Sequence, residues 1–291
     1  MTTNIILNQP FTDSERRKKI HLGDIFVLSQ LNSITDLCEY AFALACEQFN
    51  TDQPQNAFNT LPVEEFARHV ERLKNVFTNS RRSKELIRSF LEETGCVPSS
   101  YYFDVPRIRV VPNYDYLHSG VSYSYAPHRD TWYSSPTYQI NHWVPILPIT
   151  PDTAMSIWPD YFSRPVENSS SLHDIEYWDK VERKRAVQNI GSESRRHPLP
   201  LEDINSSSEI RIAGKPGDII IFSASHLHGT VPNLTQTARM SIDFRTIAKG
   251  DIGVDTPPNV DSRAGGMGGH YYLSQLFDAS TLDPYNPTNN R

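Results

Sequence analysis

The 291-residue chain carries 28 basic and 34 acidic residues, a net charge of −6, and is 38% hydrophobic and 21% charged. That balance excludes a disordered composition and the basic footprint of a nucleic-acid or anionic-membrane binder, so a small molecule is the expected partner. No apolar run approaches the roughly 18 residues a membrane-spanning helix needs, and residues 1–10 lack a basic region followed by an apolar run, so a cytoplasmic protein with no membrane partner is expected.

The first hundred residues read as helical support. In 35–49, Leu37, Tyr40, Ala41, Leu44 and Ala45 recur at helical spacing. Cys38 and Cys46 fall on the same segment; with Cys96 they make an odd number without metal-knuckle spacing, which reads as free thiols. Residues 62–79 open with proline and acids, as a helix N-terminus does, and put Phe66, Val70, Leu73 and Phe77 on one stripe. A third helix, 83–94, stops at Gly95.

From Tyr101 the texture changes to short β-branched and aromatic runs broken by Pro, Gly, Asn and Ser. Strands are expected at 107–111, 139–144, 210–212, 218–222 and 239–247. Short strands in succession suggest a sandwich or barrel. The expected architecture is mainly β with N-terminal helices around a double-stranded β-helix, or jelly-roll, core. It is read as one domain over 1–291: helices in 1–100, the jelly roll in 101–248 with a polar insertion at 164–208, and a tail at 249–291 that either wraps the surface or is partly mobile. The insertion carries a further helix at 175–189, and no internal repeat is present.

The chemistry concentrates in two segments. His128-Arg129-Asp130 spaces an imidazole and a carboxylate two apart, which on an extended strand aims both at one point. His69-Val70-Glu71 has the same spacing but lies in a helical pattern, where the two side chains stand about 200° apart. The third ligand is sought in 217–233, where an apolar strand delivers His226 and His228 together at its far end, and parity does not separate them. Two histidines and a carboxylate leave three cis positions open, the facial arrangement that suits non-haem iron(II) and dioxygen.

His128-Arg129-Asp130, then Gly217-Asp218 with a strand ending His228-Gly229-Thr230, then Arg239-Met240-Ser241 resemble the phytanoyl-CoA dioxygenase-like branch of the 2-oxoglutarate oxygenases. The segment 153–159 is similar to the family's strand ending in proline between the two halves of the motif. The resemblance covers 101–247. It implies Fe(II) held by His128, Asp130 and His228, with His226 outside the ligand set. It also implies 2-oxoglutarate held by Arg239, eleven residues after His228, since arginine's planar fork pairs with a carboxylate. Ser241 shares the face of Arg239 and adds a hydroxyl. Gln139, Asn141 and Trp143 alternate along their strand and are expected to line the cosubstrate pocket, with Trp143 matching an aromatic of the family, while His142 packs on the other face. Arg245 is expected to be a structural ion-pair partner. The aromatics between Tyr114 and Tyr133 are read as site mouth or core, and Arg107 and Arg109 as candidates for an anionic substrate group, with a solvated strand face the alternative for at least one of them.

The expected reaction is hydroxylation of an unactivated C–H bond in a small metabolite or amino-acid derivative, with dioxygen consumed and succinate and CO2 released. Desaturation or cyclisation with the same cofactors is the alternative. A cupin-like isomerase or hydrolase and a non-catalytic binding module are the rival classes; Arg239 argues against the first and the complete triad against the second. The sequence leaves oligomeric state open.

Overall fold

A computed structural model describes residues 3–286. Its elements in chain order are β1 (Ile5–Leu7), α1 (Asp13–His21), β2 (Ile25–Leu28), α2 (Asn32–Phe49), α3 (Val63–Asn79), α4 (Arg81–Glu93), β3 (Tyr101–Asp104), β4 (Arg107–Val111), β5 (Ile140–Pro145) and β6 (Met155–Trp158). There follow α5 (Ile175–Tyr177), β7 (Ile210–Arg211), β8 (Ile219–Ser223), β9 (Leu227–Thr230), β10 (Arg239–Ala248), α6 (His270–Leu273) and β11 (Leu276–Asp278).

The helices form where apolar periodicity and end signals agree. The stripe on α3, Phe66, Val70, Leu73 and Phe77, is fully buried. On α2 the buried face is Ile34, Leu37, Cys38, Ala41, Ala45 and Phe49, so Tyr40 and Leu44 flank the stripe rather than centre it. Ser80 caps α4 by accepting from the Ser83 amide at 3.4 Å. The helix α1, for which no expectation was formed, is fixed by a capping box in which Thr12 and Glu15 each accept from the other's backbone amide.

Eight strands make one sheet in the order β1-β2-β8-β5-β10-β3-β11, with β4 also paired to β10; apart from the parallel β1–β2 pair, its neighbours run antiparallel. Three strands, β7-β6-β9, make the other. Apolar side chains of α2, α3 and α4 cover one face of the large sheet through Ile108, Ile140, Ile221, Met240, Ile242 and Phe244. Its other face meets the small sheet through Trp143, Ile220 and Phe222 against Met155 and Ile157. Two facing sheets of antiparallel strands give the jelly-roll core.

The structure departs from the sequence reading in three places. The apolar strand does not run on to His226 and His228: β8 ends at Ser223, the chain turns with the His226 amide on the Ser223 carbonyl (3.0 Å), and β9 starts in the other sheet. The helix expected at 175–189 is broken into α5, a π turn at Trp178–Glu182 and a 3-10 turn at Arg183–Gln188; Gly120 (φ +58°) packs so close that a Cβ there would lie 2.2 Å from the Ala186 carbonyl oxygen. The tail does more than wrap the surface, because β11 pairs with β3 and Tyr272 and Leu276 are buried; its residues 287–291 lie outside the described residues. Among the described residues no helix is long and apolar enough to cross a membrane.

Candidate metal centre

His128 and His228 are brought side by side by an antiparallel bridge: the His128 amide donates to the His228 carbonyl at 2.8 Å, and the reverse bond is 2.9 Å. Their ring centroids are 4.4 Å apart. Each imidazole donates Nδ1–H to a backbone carbonyl, His128 to Ala126 (2.9 Å) and His228 to His226 (3.0 Å). That places the lone pair of each ring on Nε2. Both Nε2 atoms lie 3.7 Å from Asp130 Oδ1, and one donor atom from each of the three buried residues lies within 4.8 Å of the others.

Local backbone explains the convergence. Arg129 is extended (φ −109°, ψ 146°), so its neighbours share a face while its own side chain points away. There it pairs with Asp261 (3.0 Å) and donates to the carbonyls of Tyr161, Arg164 and Ser225. Glycine follows His228 because the strand runs tightly against residues 125–127: a Cβ on Gly229 would sit 3.2 Å from Tyr125 O and Pro127 N.

Asp130 is held from its other oxygen. Oδ2 accepts from Arg245 Nε and Gln139 Nε2, both at 3.1 Å, leaving Oδ1 toward the imidazoles. Gln139 cannot reverse its amide cheaply, since its Nε2 also donates to Asn141 Oδ1 (2.7 Å) and its Oε1 accepts from the Tyr272 hydroxyl. Burial by itself would raise the Asp130 carboxyl, but Arg245 beside it, with His128 and His228, holds it well below the usual carboxylate range. The His228 imidazole is pushed down to about 4 by burial and by His128, against the pull of Asp130. It is therefore a neutral donor near pH 7.

Arg239 opens β10 and is buried, yet its Nε has no hydrogen-bond partner, and no carboxylate lies within 4.0 Å of its guanidinium among the described residues. Burial and Arg109 push its pKa down to about 10, partly offset by Asp243, so it stays charged at neutral pH. Two residues on, the fully buried Ser241 hydroxyl is also unpartnered. Trp143 lies 5.7 Å from the Arg239 guanidinium, ring centroid to Cζ. An unsatisfied buried cation and hydroxyl on one strand face are costly unless a ligand answers them.

Arg239 and Trp143 line a cavity of about 790 Å³ together with the three donors, Asn141, Tyr125 and Tyr133, and Ser241 lies buried beneath it on the same strand face. Gln139 stands behind Asp130. The aromatic-rich stretch divides: Tyr123, Tyr125 and Tyr133 face the cavity, Tyr116 packs on Phe58 and Phe66, and Trp132 is fully buried with its indole on Asp261 (2.7 Å). Neither Arg107 nor Arg109 is left for a substrate anion. The first is bonded to Asp104 (3.0 Å) and the second to Asp243 (3.1 Å). His226 sits in the turn, fully buried, with Nε2 3.1 Å from the Gly23 carbonyl and its ring against Phe162, away from the three donors. His142 packs between Phe90 and Phe244 on the helix-covered face.

The sequence reading missed Tyr272 and the insertion's His173, Trp178 and His197, which close over Tyr133. Its hydroxyl is 2.9 Å from His197 Nδ1. Nothing in the local pattern at 164–208 pairs these residues with Tyr133, because the contacts span about forty to sixty-four positions.

Fold and donors together give a jelly roll carrying two histidines and one carboxylate that could hold a metal ion. No family model matches the chain, and no curated protein matches it. Among solved structures it is similar to EvdO2 from Micromonospora carbonacea var. aurantiaca complexed with 2-oxoglutarate, at 16% identity and a TM-score of 0.39 over 62% of this chain and 64% of that one, just under two thirds of its length. It is also similar to the apo non-heme monooxygenase ThoJ (13%, TM-score 0.41, 71% and 70%) and to apo EctD from S. alaskensis (16%, TM-score 0.41, 83% and 78%). At such values the reading of the site rests on its own residues.

Proposed function

We propose that the protein is an Fe(II)- and 2-oxoglutarate-dependent oxygenase of the phytanoyl-CoA dioxygenase-like branch, with His128, Asp130 and His228 as metal ligands. The observation that carries the reading is the unpartnered Arg239 in the cavity that also holds the three donors, with the unpartnered Ser241 hydroxyl two residues along the same strand. A metal alone needs no buried, uncompensated arginine. A bidentate keto acid with a distal carboxylate uses both features. Bound Fe(II), with dioxygen and 2-oxoglutarate, supplies the oxidising power: R–H, O2 and 2-oxoglutarate become R–OH, succinate and CO2.

The chain's own residues position and shield. Carbonyls of Ala126 and His226 fix the two imidazoles, Arg245 and Gln139 hold one oxygen of Asp130 so that the other would be free to hold the metal, and Arg239 with Ser241 would hold the distal carboxylate. Asn141 lines the same pocket. Tyr125 and Tyr133 flank His128, at ring-centroid distances of 5.3 and 5.4 Å, and help exclude water. With Asp130 filling the carboxylate position, hydroxylation is favoured over halide transfer.

The test is succinate formation from 2-oxoglutarate in air, with and without Fe(II). Iron-dependent turnover is expected in wild type and in His226→Ala when corrected for folded protein. Loss of both turnover and bound iron is expected in His128→Ala, Asp130→Ala and His228→Ala. A wild type that binds metal but leaves 2-oxoglutarate untouched would favour a cupin-like isomerase or hydrolase instead.

A further inference from the structure

The cavity has more positive charge than the proposed cosubstrate can answer. Nine arginines and lysines line it against five aspartates and glutamates, in a chain whose net charge is −6. Four of these cations are matched, Arg107 by Asp104, Arg109 by Asp243, Arg245 by Asp130, Asp104 and Asp243, and Arg195 by Glu193, while Arg72 and Lys184 are exposed to solvent. Arg239 is taken by 2-oxoglutarate in the reading above. Lys74 is not matched. It projects from α3, its Nζ donates to the Val121 carbonyl, and no carboxylate lies within 4.0 Å of it among the described residues.

A carbonyl satisfies a donor but does not neutralise a charge. The charges that act on Lys74 are mostly of its own sign: Arg109, Arg195 and Arg183, against Asp243 alone, and Asp243 is already shared by Arg109 and Arg245. Burial first, and these cations next, push its pKa well below the ordinary lysine range. Arg183, which also lines the cavity, has its one ion pair among the described residues with Asp179 (2.6 Å) and is opposed by Arg107, partly offset by Asp179 and Asp104. Arg195 reaches the same loop, donating to the Gly120 carbonyl at 2.7 Å, one residue from Val121. The insertion thus brings two guanidiniums, each paired with a single acid, toward an ammonium on α3 that has none, and an anion between them would supply Lys74 with the counter-charge it lacks.

We propose that Lys74, with Arg183 and Arg195 of the insertion, forms a second anion subsite that binds a carboxylate or phosphate group of the substrate. The assignment as a substrate subsite rests on the oxygenase reading, but the binding itself does not, so the test omits iron. Inorganic phosphate and benzoate are titrated by calorimetry into metal-free wild type, Lys74→Met, Lys74→Arg and Arg239→Met. Wild type is expected to bind at least one probe, and which one distinguishes a phosphate from a carboxylate substrate. Lys74→Met should weaken that probe about tenfold or more, while Lys74→Arg and Arg239→Met retain it. Because the substitution removes an uncompensated charge, Lys74→Met should melt at or above the wild-type temperature. Equal probe affinity in wild type and Lys74→Met, no binding to wild type, or a lowered melting temperature with unchanged binding would overturn the subsite and make Lys74 a tether for the 120–122 loop. Failure of 2-oxoglutarate turnover with these results intact would sink the oxygenase reading and leave the anion site standing.

Discussion

The two faces of β10 solve opposite problems within one strand. Met240, Ile242 and Phe244 point into the helix-backed core and are fully buried with apolar neighbours. Arg239, Ser241, Asp243 and Arg245 alternate with them on the other face, and all but the buried Ser241 line the cavity. On the core face Met240, Ile242 and Phe244 are matched by apolar contacts, joined by the His142 ring stacked on Phe244. On the cavity face Asp243 and Arg245 are matched by ion pairs, whereas Arg239 and Ser241 are left over. The residues that the fold does not satisfy mark where a ligand belongs, and the difference between the faces separates stability from binding.

Four substitutions break or sharpen that separation. Phe244→Ala opens the core face, where deleting a buried aromatic costs about 3–5 kcal/mol; denaturant unfolding should show the loss, with 2-oxoglutarate affinity per folded molecule retained. Arg239→Met does the reverse. Its loss of a charge-assisted pair should weaken 2-oxoglutarate by about 2–5 kcal/mol, thirtyfold or more, with metal binding kept and stability unchanged or raised because no carboxylate of the described residues is left unpaired.

The third concerns the one ionisable group on the core face of β5. Burial, helped by Arg16, pushes the His142 pKa down to about 3, below the ordinary 6.5 of the unfolded chain. The unfolded state therefore takes up the proton first as pH falls. Stability from this residue is full above about pH 6.5 and is lost on acidification toward 3, by about 2 kcal/mol at pH 5. His142→Phe should flatten that part of the stability–pH curve and leave the part due to His173, His197 and His226, which burial also holds low. An unchanged curve would show that His142 titrates normally. Smallest is Ser241→Ala, which removes one hydroxyl from the cosubstrate's carboxylate and should cost about 0.5–1.5 kcal/mol of 2-oxoglutarate affinity without altering thermal stability.

What the sequence revealed follows from the range of the interactions involved. The α3 stripe and the alternation on β5 and β10 were legible because each depends on spacing within one segment. So was the convergence of His128 and Asp130, which needs only an extended Arg129. His226 and His228 could not be separated by parity because the chain turns between Ser223 and Leu227 and changes sheet, an event set by pairing β8 with β2 and β5 and β9 with β6. Arg107 and Arg109 looked available for a substrate because their acids, Asp104 and Asp243, become partners only in the folded sheet. The Arg245–Asp130 and Tyr272–Gln139 contacts join residues 115 and 133 positions apart, and the short strands β1, β2 and β11 exist only by docking on distant neighbours.

The most direct test is a calorimetric titration of 2-oxoglutarate under anaerobic conditions, with and without Mn(II) as a redox-silent stand-in for iron, in wild type and Asp130→Ala. If one cosubstrate bridges the metal and Arg239, binding in wild type should be strong with metal and much weaker without it, and Asp130→Ala should show only the weak, metal-independent event. Equal affinity with and without Mn(II), or metal-enhanced binding that survives Asp130→Ala, would contradict the placement of metal and cosubstrate in this cavity.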